Sequence, residues 1–379
     1  MKLPDNPFGI NYYLGPDYFC DREVETNILL AHIAQQKHTT FFALRRLGKS
    51  ALIHHVFHLL KTKRNQQCIY IDIYATQNLK DLTNLLANKI YALFPEKKGI
   101  GKSFWEFIKL FRPVLSIDEL SGTPELSLDI AQPKQLEKTI PQLLYFLDQQ
   151  KIKTVIALDE FQQILNYPEK NVEAILRTVM QQLKNTTFIF CGSNQSMMHE
   201  LFNSAKRPFY NSCASLHLQQ IDSIVYKQFI KKAFLAYKYK IQDDAIEYIL
   251  DFTGGYTYYT QRLCHDVFEQ KVKQITLAQI KQAILSIFYE MKGNFFQYRN
   301  LLTATQWQLL TAIGMEEKVP QPYAKQFIQK YKLGSSAIVK RSLESLLDKE
   351  MIYKNEIDDD VHYAVYDKFL MRWLLRKTP

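Results

Sequence analysis

The feature that most constrains the fold is a change of pattern within Thr39–Leu60, which reads TTFFALRRLGKSALIHHVFHLL. Residues Thr39–Leu44 are β-prone and predict a buried strand, whereas Lys49–Leu60 repeat apolar residues with a helical period. A sharp turn that contains Gly48 separates the two. A strand, a glycine-containing turn, a Lys-Ser pair and a helix make up a phosphate-binding loop. This stretch therefore predicts a nucleotide site at the start of the helix.

Backbone N–H groups and the positive end of the helix dipole supply partial positive charge in such a loop. Lys49 would reach the β- and γ-phosphates, and the Ser50 hydroxyl would ligate Mg²⁺. The motif normally starts with glycine, but Ala43 stands there, and a left-handed backbone would strain it. An ordinary turn with an exposed lysine is the alternative. The loop residues predicted to contact nucleotide are Arg45, Arg46, Leu47, Gly48, Lys49, Ser50 and Ala51.

Composition bounds the class of protein. A chain of 379 residues, nearly half of them hydrophobic, predicts two or three well-packed domains. The net charge of +10 is compatible with nucleic acid or with acidic ligands such as nucleotides, and it selects neither. The five cysteines lack metal or disulfide spacing and predict reduced thiols. We see no signal peptide and no apolar run that spans a bilayer, so we expect a cytoplasmic protein without membrane contact.

Four further apolar segments predict strands separated by helices. They are Cys68–Ile73, Thr154–Leu158, Thr187–Cys191 and Ala214–Leu218. This alternation predicts an α/β P-loop NTPase core, with a mostly parallel sheet and helices on both faces. Residues 95–135 are predicted to be irregular apart from a hairpin, Val114–Ile117 with Leu126–Ile130, around the turn Ser121–Pro124.

Three domains are predicted: the core with an N-terminal arm over residues 1–221, a helical lid over 222–300 and a winged helix over 301–379. The predicted lid helices are Ser223–Lys238, Asp243–Thr253, Tyr258–Gln274 and Thr276–Tyr289. The third domain is predicted to contain helices Thr303–Ile313, Gln321–Tyr331 and Ala337–Asp348, a hairpin around the acidic turn Glu356–Asp360, and a final helix, Lys368–Arg376. Three helices followed by a hairpin are typical of a winged helix.

Two adjacent carboxylates, Asp159 and Glu160, end the third predicted strand of the sheet. Carboxylates next to a buried strand are costly without a cation or a function. Asp159 would hold Mg²⁺ through water, and Glu160 would polarise the water that attacks the γ-phosphate. An acidic pair exposed at a strand end is the alternative interpretation.

Other polar residues are weaker candidates. Ser193 and Asn194 follow the fourth strand and could orient the attacking water or contact the γ-phosphate, or they could form a polar turn. Arg207 could complete a phosphate site within the chain or in a neighbouring subunit, or make surface ion pairs only. His54 and His58 are one helical turn apart, but no third ligand accompanies them, so a zinc-protease site is not predicted.

Five segments, in order along the chain, carry a resemblance to a known family. They are FCDRE (Phe19–Glu23), RRLGKS (Arg45–Ser50), LDEFQQI (Leu158–Ile164), RPFY (Arg207–Tyr210) and TGGYTYY (Thr253–Tyr259). Together they resemble the prokaryotic archaeal-type ATPase family, a branch of the STAND class of AAA-related P-loop ATPases. The resemblance covers nearly the whole chain and implies an ATP-binding core, a helical lid and a winged helix that act as a nucleotide-dependent switch with ATP or ADP and Mg²⁺.

The same resemblance implies that Arg22 lies near the adenine and ribose, and that the turn at Gly254-Gly255 closes over the nucleotide. Departures from the family pattern, such as Asp21 and Ala43 in place of glycines, make slow hydrolysis or mainly structural nucleotide binding credible. Arg207 is the nearest substitute for an arginine that follows the RPFY segment in many relatives.

Three functions are compatible with these residues. The first is an ATP-hydrolysing switch. The second is a winged-helix DNA-binding protein in which nucleotide is structural. Its candidate reading helix, Ala337–Asp348, carries Lys340 and Arg341 but also Glu344 and Asp348, so DNA ranks below protein–protein or intramolecular docking. The third is a scaffold whose winged helix receives a protein partner.

Overall fold

The computed structural model describes residues 4–10, 12–64, 66–94, 99–117, 122, 124–130, 132–355 and 361–377. Two compact units divide the chain: Gly15–Gln219, and Gln220–Pro379 together with the N-terminal segment through Leu14. The N-terminal segment belongs to the second unit because its buried Phe8 ring lies 4.9 Å from that of Phe234.

The first unit is built on a five-stranded parallel sheet in the order β2-β5-β6-β1-β7. The strands are β1 (Thr39–Ala43), β2 (Gln67–Asp72), β5 (Thr154–Asp159), β6 (Thr186–Gly192) and β7 (Ala214–Leu218), and β3 (Pro113–Ile117) pairs with β4 (Pro124–Leu128) in a separate antiparallel hairpin. Every residue of β1, β5 and β6 is buried, as expected for central parallel strands covered on both faces. The predicted parallel sheet is confirmed.

Seven helices of the first unit lie within the described residues. They are α1 (Glu23–Ala34), α2 (Lys49–Arg64), α3 (Leu79–Leu93), α4 (Gly99–Ile108), α5 (Pro133–Gln149), α6 (Val172–Met180) and α7 (Gln195–Asn203). Helices α2 and α3 pack against β2, and α7 packs against β1. All five sheet strands end at one edge of the sheet because they are parallel, and this edge carries the loop before α2.

Two of these helices correct the sequence analysis. Helix α4 lies in the region predicted to be irregular, where it buries Gly101, Phe104 and Ile108 at helical spacing. Helix α7 follows Asn194 directly, where no helix was predicted. Both helices are short, and two glycines lower the helical propensity of α4. The predicted hairpin is present as β3 and β4, while residues 121 and 123 of its predicted turn lie outside the described residues.

The second unit contains the helical region and the C-terminal winged helix. Its elements are α8 (Ser223–Ala236), β8 (Lys240–Ile241), α9 (Asp243–Thr253), α10 (Thr257–Glu269), β9 (Gln274–Ile275), α11 (Leu277–Leu301), α12 (Ala304–Glu316), α13 (Lys325–Lys330), α14 (Ser336–Asp348), β10 (Ile352–Asn355), β11 (His362–Val365) and α15 (Lys368–Lys377). Strands β10 and β11 form the antiparallel hairpin of the winged helix. The acidic turn predicted at residues 356–360 lies outside the described residues.

Helices α11 and α13 differ in length from the prediction. Helix α11 continues to Leu301, twelve residues beyond the predicted Tyr289, and it passes through Gly293. Helix α13 begins only at Lys325 rather than at Gln321. Pro322 precedes it, and a proline disfavours helical backbone at the residue before it. Among the described helices, none is long and apolar enough to cross a membrane.

Candidate nucleotide-binding site

The loop between β1 and α2 has two residues in the left-handed region. Gly48 has a φ of 91° and Arg46 a φ of 69°. Glycine adopts this conformation without a steric penalty, whereas arginine does so at a cost in backbone energy. Ala43 ends β1 and is not among the residues with positive φ, so the strain considered for alanine does not arise.

Lys49 is the first residue of α2, and its ammonium group contacts two carboxylates. Its Nζ lies 2.6 Å from Asp159 Oδ1 and 3.3 Å from Glu160 Oε1. Burial alone would lower the pKa of Lys49, but Asp159 and Glu160 outweigh burial and raise the pKa above its ordinary value. The structure therefore places a charged lysine and the Asp-Glu pair of β5 in one cluster.

Asp159 is 3 % exposed and accepts hydrogen bonds on both oxygens. Oδ2 accepts from the Ser50 hydroxyl at 3.1 Å and from the Tyr70 hydroxyl, and Oδ1 accepts from the backbone N–H of Glu160 at 2.9 Å. Burial would raise the pKa of Asp159, but Lys49 and these donors hold the pKa below its usual range. Asp159 is therefore an ionised carboxylate next to the Ser50 hydroxyl.

Glu160 has a left-handed backbone, with a φ of 54°. Its Oε2 accepts from Ser193 Oγ at 2.7 Å and from Gln162 Nε2 at 2.6 Å. Arg45 in turn donates from Nε to Ser193 Oγ at 3.0 Å. Burial raises the pKa of Glu160, yet Lys49, Ser193 and Gln162 together lower it below its ordinary value. Strained backbone of this kind clusters at active sites, but thirteen described non-glycine residues have a positive φ, so the backbone of Glu160 alone does not mark a functional site.

Ser193 and Asn194 follow β6 and have different partners. Ser193 hydrogen-bonds to Glu160, whereas Asn194 bonds to the backbone of α7. The Asn194 side-chain oxygen accepts from the backbone N–H of Met197 at 3.1 Å and caps the N-terminus of α7. Such a bond satisfies one of the free N–H groups at a helix start.

Arg207 makes two ion pairs. Its NH1 lies 2.9 Å from Glu173 Oε1, and its NH2 contacts Glu200. Glu173 is buried, and burial raises its pKa despite the neighbouring Arg207. The structure thus shows the ion pairs considered as one interpretation of this arginine.

Arg22 is buried immediately before α1 and reaches the loop. Its NH2 donates to the Leu47 carbonyl at 3.3 Å, and its NH1 lies 2.9 Å from Glu25 Oε1. Its backbone is left-handed, with a φ of 70°. The segment FCDRE and the loop RRLGKS are therefore in direct contact, although they are separated along the chain by α1 and β1.

Tyr70 and Gln162 were not assigned a role by sequence analysis. Tyr70 lies on β2, and burial together with Asp159 raises the pKa of its phenol. Gln162 follows the Asp-Glu pair within the short helix Phe161–Asn166. The alternation of β2 predicts which face Tyr70 occupies, but only the pairing of β2 with β5 brings its hydroxyl to Asp159.

His54 and His58, which are one helical turn apart, do not belong to a metal-binding cluster within the described ranges. The His54 ring lies 4.7 Å from the Tyr70 ring, and burial lowers the pKa of His54. Across those ranges, no group of three or more His, Cys, Asp or Glu side chains is arranged to hold a metal ion.

Comparison with known proteins identifies the class. Residues 19–263 match the family described as an ATPase domain predominantly from Archaea, and residues 293–376 match a probable winged helix domain. The first match covers more than half of the chain and includes the loop, the Asp-Glu pair and Arg207. The protein belongs to this archaeal-type ATPase family, and nucleotide binding is implied by that membership. The comparison with curated proteins found no match.

Solved structures share the whole fold at low sequence identity. A Walker-type ATPase of Pyrococcus abyssi has a TM-score of 0.67 at 17% identity, over 97% of this chain and 99% of that one. The Orc1 protein of Aeropyrum pernix in complex with DNA has a TM-score of 0.55 at 12% identity, over 99% and 97% of the two chains. The Aeropyrum pernix Orc2 protein, in ADPNP-ADP complexes, has a TM-score of 0.56 at 13% identity, over 98% and 97%.

Proposed function

We propose that this protein is a slow Mg²⁺-dependent ATP hydrolase of the STAND class that acts as a nucleotide-dependent conformational switch. The observation that carries the proposal is the convergence of Lys49, Ser50, Asp159 and Glu160, from the start of one helix and the end of one buried strand. A single motif can arise by chance, but two motifs 109 residues apart that hydrogen-bond to each other support a shared site.

ATP is the proposed substrate of the loop. The backbone N–H groups at the start of α2 and the charged Lys49 ammonium provide donors and positive charge for the phosphates. The γ-phosphate would replace Asp159 and Glu160 as partner of Lys49, which would release both carboxylates. The proposed nucleotide contacts are Arg22, Arg45, Arg46, Leu47, Gly48, Lys49, Ser50 and Ala51.

The side chains fit a magnesium ion. Mg²⁺ prefers oxygen ligands, and Asp159 Oδ2 and Ser50 Oγ are 3.1 Å apart. Asp159 is ionised and deeply buried, and its charge is balanced here by the Lys49 ammonium at 2.6 Å. Mg²⁺ would neutralise charge on the β- and γ-phosphates. We therefore propose Ser50 as a ligand and Asp159 as a ligand through water.

Glu160 is the proposed base. Water attacks the γ-phosphorus, the bond to the ADP oxygen breaks, and Glu160 accepts a proton from the attacking water. Lys49, Ser193 and Gln162 hold the pKa of Glu160 below its ordinary value, and the proposed transfer of Lys49 to the γ-phosphate would remove the first of these causes. Slow turnover is proposed from the departures from the family pattern, such as Asp21. Ser193 donates to Glu160 Oε2, so it is a closer candidate than Asn194 for orienting the Glu160 carboxylate. Asn194 and Arg207 stay predictions; Arg207 would have to exchange Glu200 for a phosphate.

Two substitutions separate binding from hydrolysis. We expect Lys49→Ala to abolish nucleotide binding, because it removes the proposed lysine contact to the β- and γ-phosphates. We expect Glu160→Gln to retain ATP but to lose turnover by about 100-fold or more, as is typical of the loss of a general base. Lys63→Ala, at an exposed position on the same helix, is the matched control. Phosphate release and nucleotide binding by purified protein measure both effects; equal binding by wild type and Lys49→Ala would disprove the proposal.

DNA binding is a second candidate. It is favoured by the fold shared with Orc1 of Aeropyrum pernix in complex with DNA, and by exposed Lys340 and Arg341 on α14. Glu344 and Asp348 are exposed on the same helix and oppose phosphate contact, so docking of a protein partner ranks higher. A gel shift with random duplex DNA across a salt series decides: no shift at low salt removes this candidate.

A further inference from the structure

Tyr70 joins three elements at the edge of the sheet. It lies on β2 opposite Ala157 of β5, and its side chain reaches both the end of β5 and the start of α2. The phenol donates to Asp159 Oδ2 and lies 3.3 Å from Ser50 Oγ. Ser50 Oγ also donates to Asp159 Oδ2, so the three side chains form a closed triangle of polar contacts.

We propose that Tyr70 is a positioning residue for Mg²⁺, which acts by fixing the carboxylate of Asp159 and the hydroxyl of Ser50 in the orientation that the ion requires. This inference rests on the proposed function, because it assigns Ser50 and Asp159 to the ion. It adds a residue that no motif contains, and it gives β2 a role in the chemistry of the neighbouring strand.

The chemistry favours positioning over coordination. A neutral phenol is a good hydrogen-bond donor and a poor ligand for a hard cation that selects carboxylate and water oxygens. Partners that hydrogen-bond to metal ligands orient those ligands, and their removal typically lowers metal affinity or activity about 10- to 100-fold. Asp159 Oδ2 receives two donors in this arrangement, and Lys49 would leave Oδ1 when nucleotide binds. Loss of the phenol would then leave only Ser50 on Oδ2 and the Glu160 backbone N–H on Oδ1 to orient the carboxylate.

The Tyr70 ring is itself held in place. The His54 ring of α2 lies 4.7 Å away at 40° to it. Tyr70→Phe keeps this ring contact and the burial of β2, and it removes only the hydroxyl. The substitution therefore isolates the hydrogen bonds from the packing of the strand.

The test is Mg²⁺ affinity rather than activity alone. We expect Tyr70→Phe to bind ATP like wild type in excess EDTA, and to need about 10-fold more Mg²⁺ for half-maximal enhancement of ATP binding. Mn²⁺ electron paramagnetic resonance, which counts free and bound ion directly, should show the same loss. Equal metal affinities for Tyr70→Phe and wild type would overturn the inference.

Tyr145→Phe is the matched control. Tyr145 donates its hydroxyl to the Gln182 side chain, and it lies on helix α5, outside the proposed site. It should leave Mg²⁺ affinity unchanged, and an equal loss in both variants would contradict positioning by Tyr70.

A double substitution gives an independent arm. Tyr70, Ser50 and Asp159 share one network of polar contacts, so the effect of Tyr70→Phe on Mn²⁺ affinity should change in a Ser50→Ala background, because residues in contact are not additive. Additive effects would overturn the inference. The proposed function fails in a different way: wild type and Lys49→Ala would then bind ATP equally, whatever Tyr70→Phe does.

Discussion

At the residue scale, the carboxylate of Glu160 accepts hydrogen bonds from residues of two other segments of the first unit. Ser193 and Gln162 both donate to Oε2, and Arg45 donates to Ser193. This arrangement connects the loop before α2 to the end of β6 through a single carboxylate. A phosphate that engages Arg45 would therefore loosen one of the groups that hold Glu160.

Gly192, at the end of β6, leaves room for this arrangement. A Cβ atom at Gly192 would lie 2.2 Å from Gln162 Oε1 and 2.6 Å from Met198 Sδ, closer than real Cβ contacts. We expect Gly192→Ala to destabilise the first unit by about 1–3 kcal/mol, as overpacking does, and to displace Gln162 from Glu160.

The matched control for this substitution is Gly293→Ala. Gly293 lies within helix α11, and apart from the adjacent helix backbone no described atom lies within 4 Å of the position that an alanine Cβ would take. Alanine there should stabilise the protein by about 0.5–1 kcal/mol, because glycine loses more backbone freedom in a helix. Thermal unfolding of both variants measures the two signs. A Gly192→Ala protein that melts at or above the wild-type temperature would contradict overpacking, because Gln162 and Met198 would then have moved aside at no cost.

At the element scale, the end of α9 is held by the winged helix. Arg372 of α15 donates to the carbonyls of Asp251 at 2.7 Å and Phe252 at 3.0 Å, and it pairs with Glu317 at 2.6 Å. The last carbonyls of a helix lack partners within it and carry partial negative charge. An arginine there donates hydrogen bonds to these carbonyls and places positive charge next to them. The turn Gly254-Gly255 follows directly and is thereby tied to α15.

We expect Arg372→Met to loosen this turn. The loss of hydrogen bonds from a charged donor should cost about 1.5–3 kcal/mol, with faster amide exchange over residues 251–259. Arg341→Met, at an exposed position of α14, is the control. Hydrogen exchange read by mass spectrometry resolves the segment; unchanged exchange over residues 251–259 would show that Arg372 does not hold α9.

Elements differed in how well the sequence predicted them. The sequence predicted all five sheet strands to within one residue at each end. The central strands β1, β5 and β6 leave a continuous apolar signal because both of their faces are buried, whereas the edge strands β2 and β7 are only partly buried. Helices α4 and α7 were missed because they are short and begin with glycine or polar residues. The continuation of α11 beyond Tyr289 was missed because Gly293 interrupts the pattern, although tertiary packing tolerates it.

The residues of the candidate site also differed in how well the sequence predicted them. Two motifs predicted roles for Lys49, Ser50, Asp159 and Glu160 at one nucleotide site, and the structure brings these four side chains together. The motifs could not predict the roles of Tyr70 or Gln162. The contact of Tyr70 depends on the pairing of β2 with β5, and that of Gln162 depends on the left-handed backbone at Glu160. Neither the order of the strands in the sheet nor this backbone conformation can be predicted from the local sequence.

At the scale of the whole molecule, the helical region and the winged helix share a polar interface inside the second unit. The Tyr256 hydroxyl lies 2.7 Å from that of Tyr353, and the Tyr259 hydroxyl donates to the Tyr366 carbonyl at 3.1 Å. The Lys368 ammonium lies 4.8 Å from the centre of the Tyr256 ring. These contacts connect the segment that follows the turn Gly254-Gly255 to the winged helix.

Lys368 gives this interface a pH dependence. Burial lowers the pKa of Lys368 to about 8, whereas an unfolded lysine has a pKa near about 10.4. Unfolding therefore takes up a proton between these pH values, and stability rises with pH through this window. Below about pH 8 the folded protein carries the full penalty of a buried charge.

We expect Lys368→Met to be more stable than wild type at pH 7 by about 1–3 kcal/mol, less the contact with the Tyr256 ring. The difference should shrink as the pH rises towards 10. Lys349→Met, an exposed position of the winged helix, should show no such trend. Denaturation at pH 7, 8, 9 and 10 tests the sign; a difference that grows with pH would contradict it.

The proposed switch depends on a nucleotide bound in the loop before α2. Isothermal titration of nucleotide-free protein with ATP and Mg²⁺ measures this directly, for wild type and for Lys49→Ala. We predict one site per chain with measurable heat in the wild type and none in Lys49→Ala. Binding of equal affinity and stoichiometry in the two proteins would contradict the assignment of this loop as the nucleotide site.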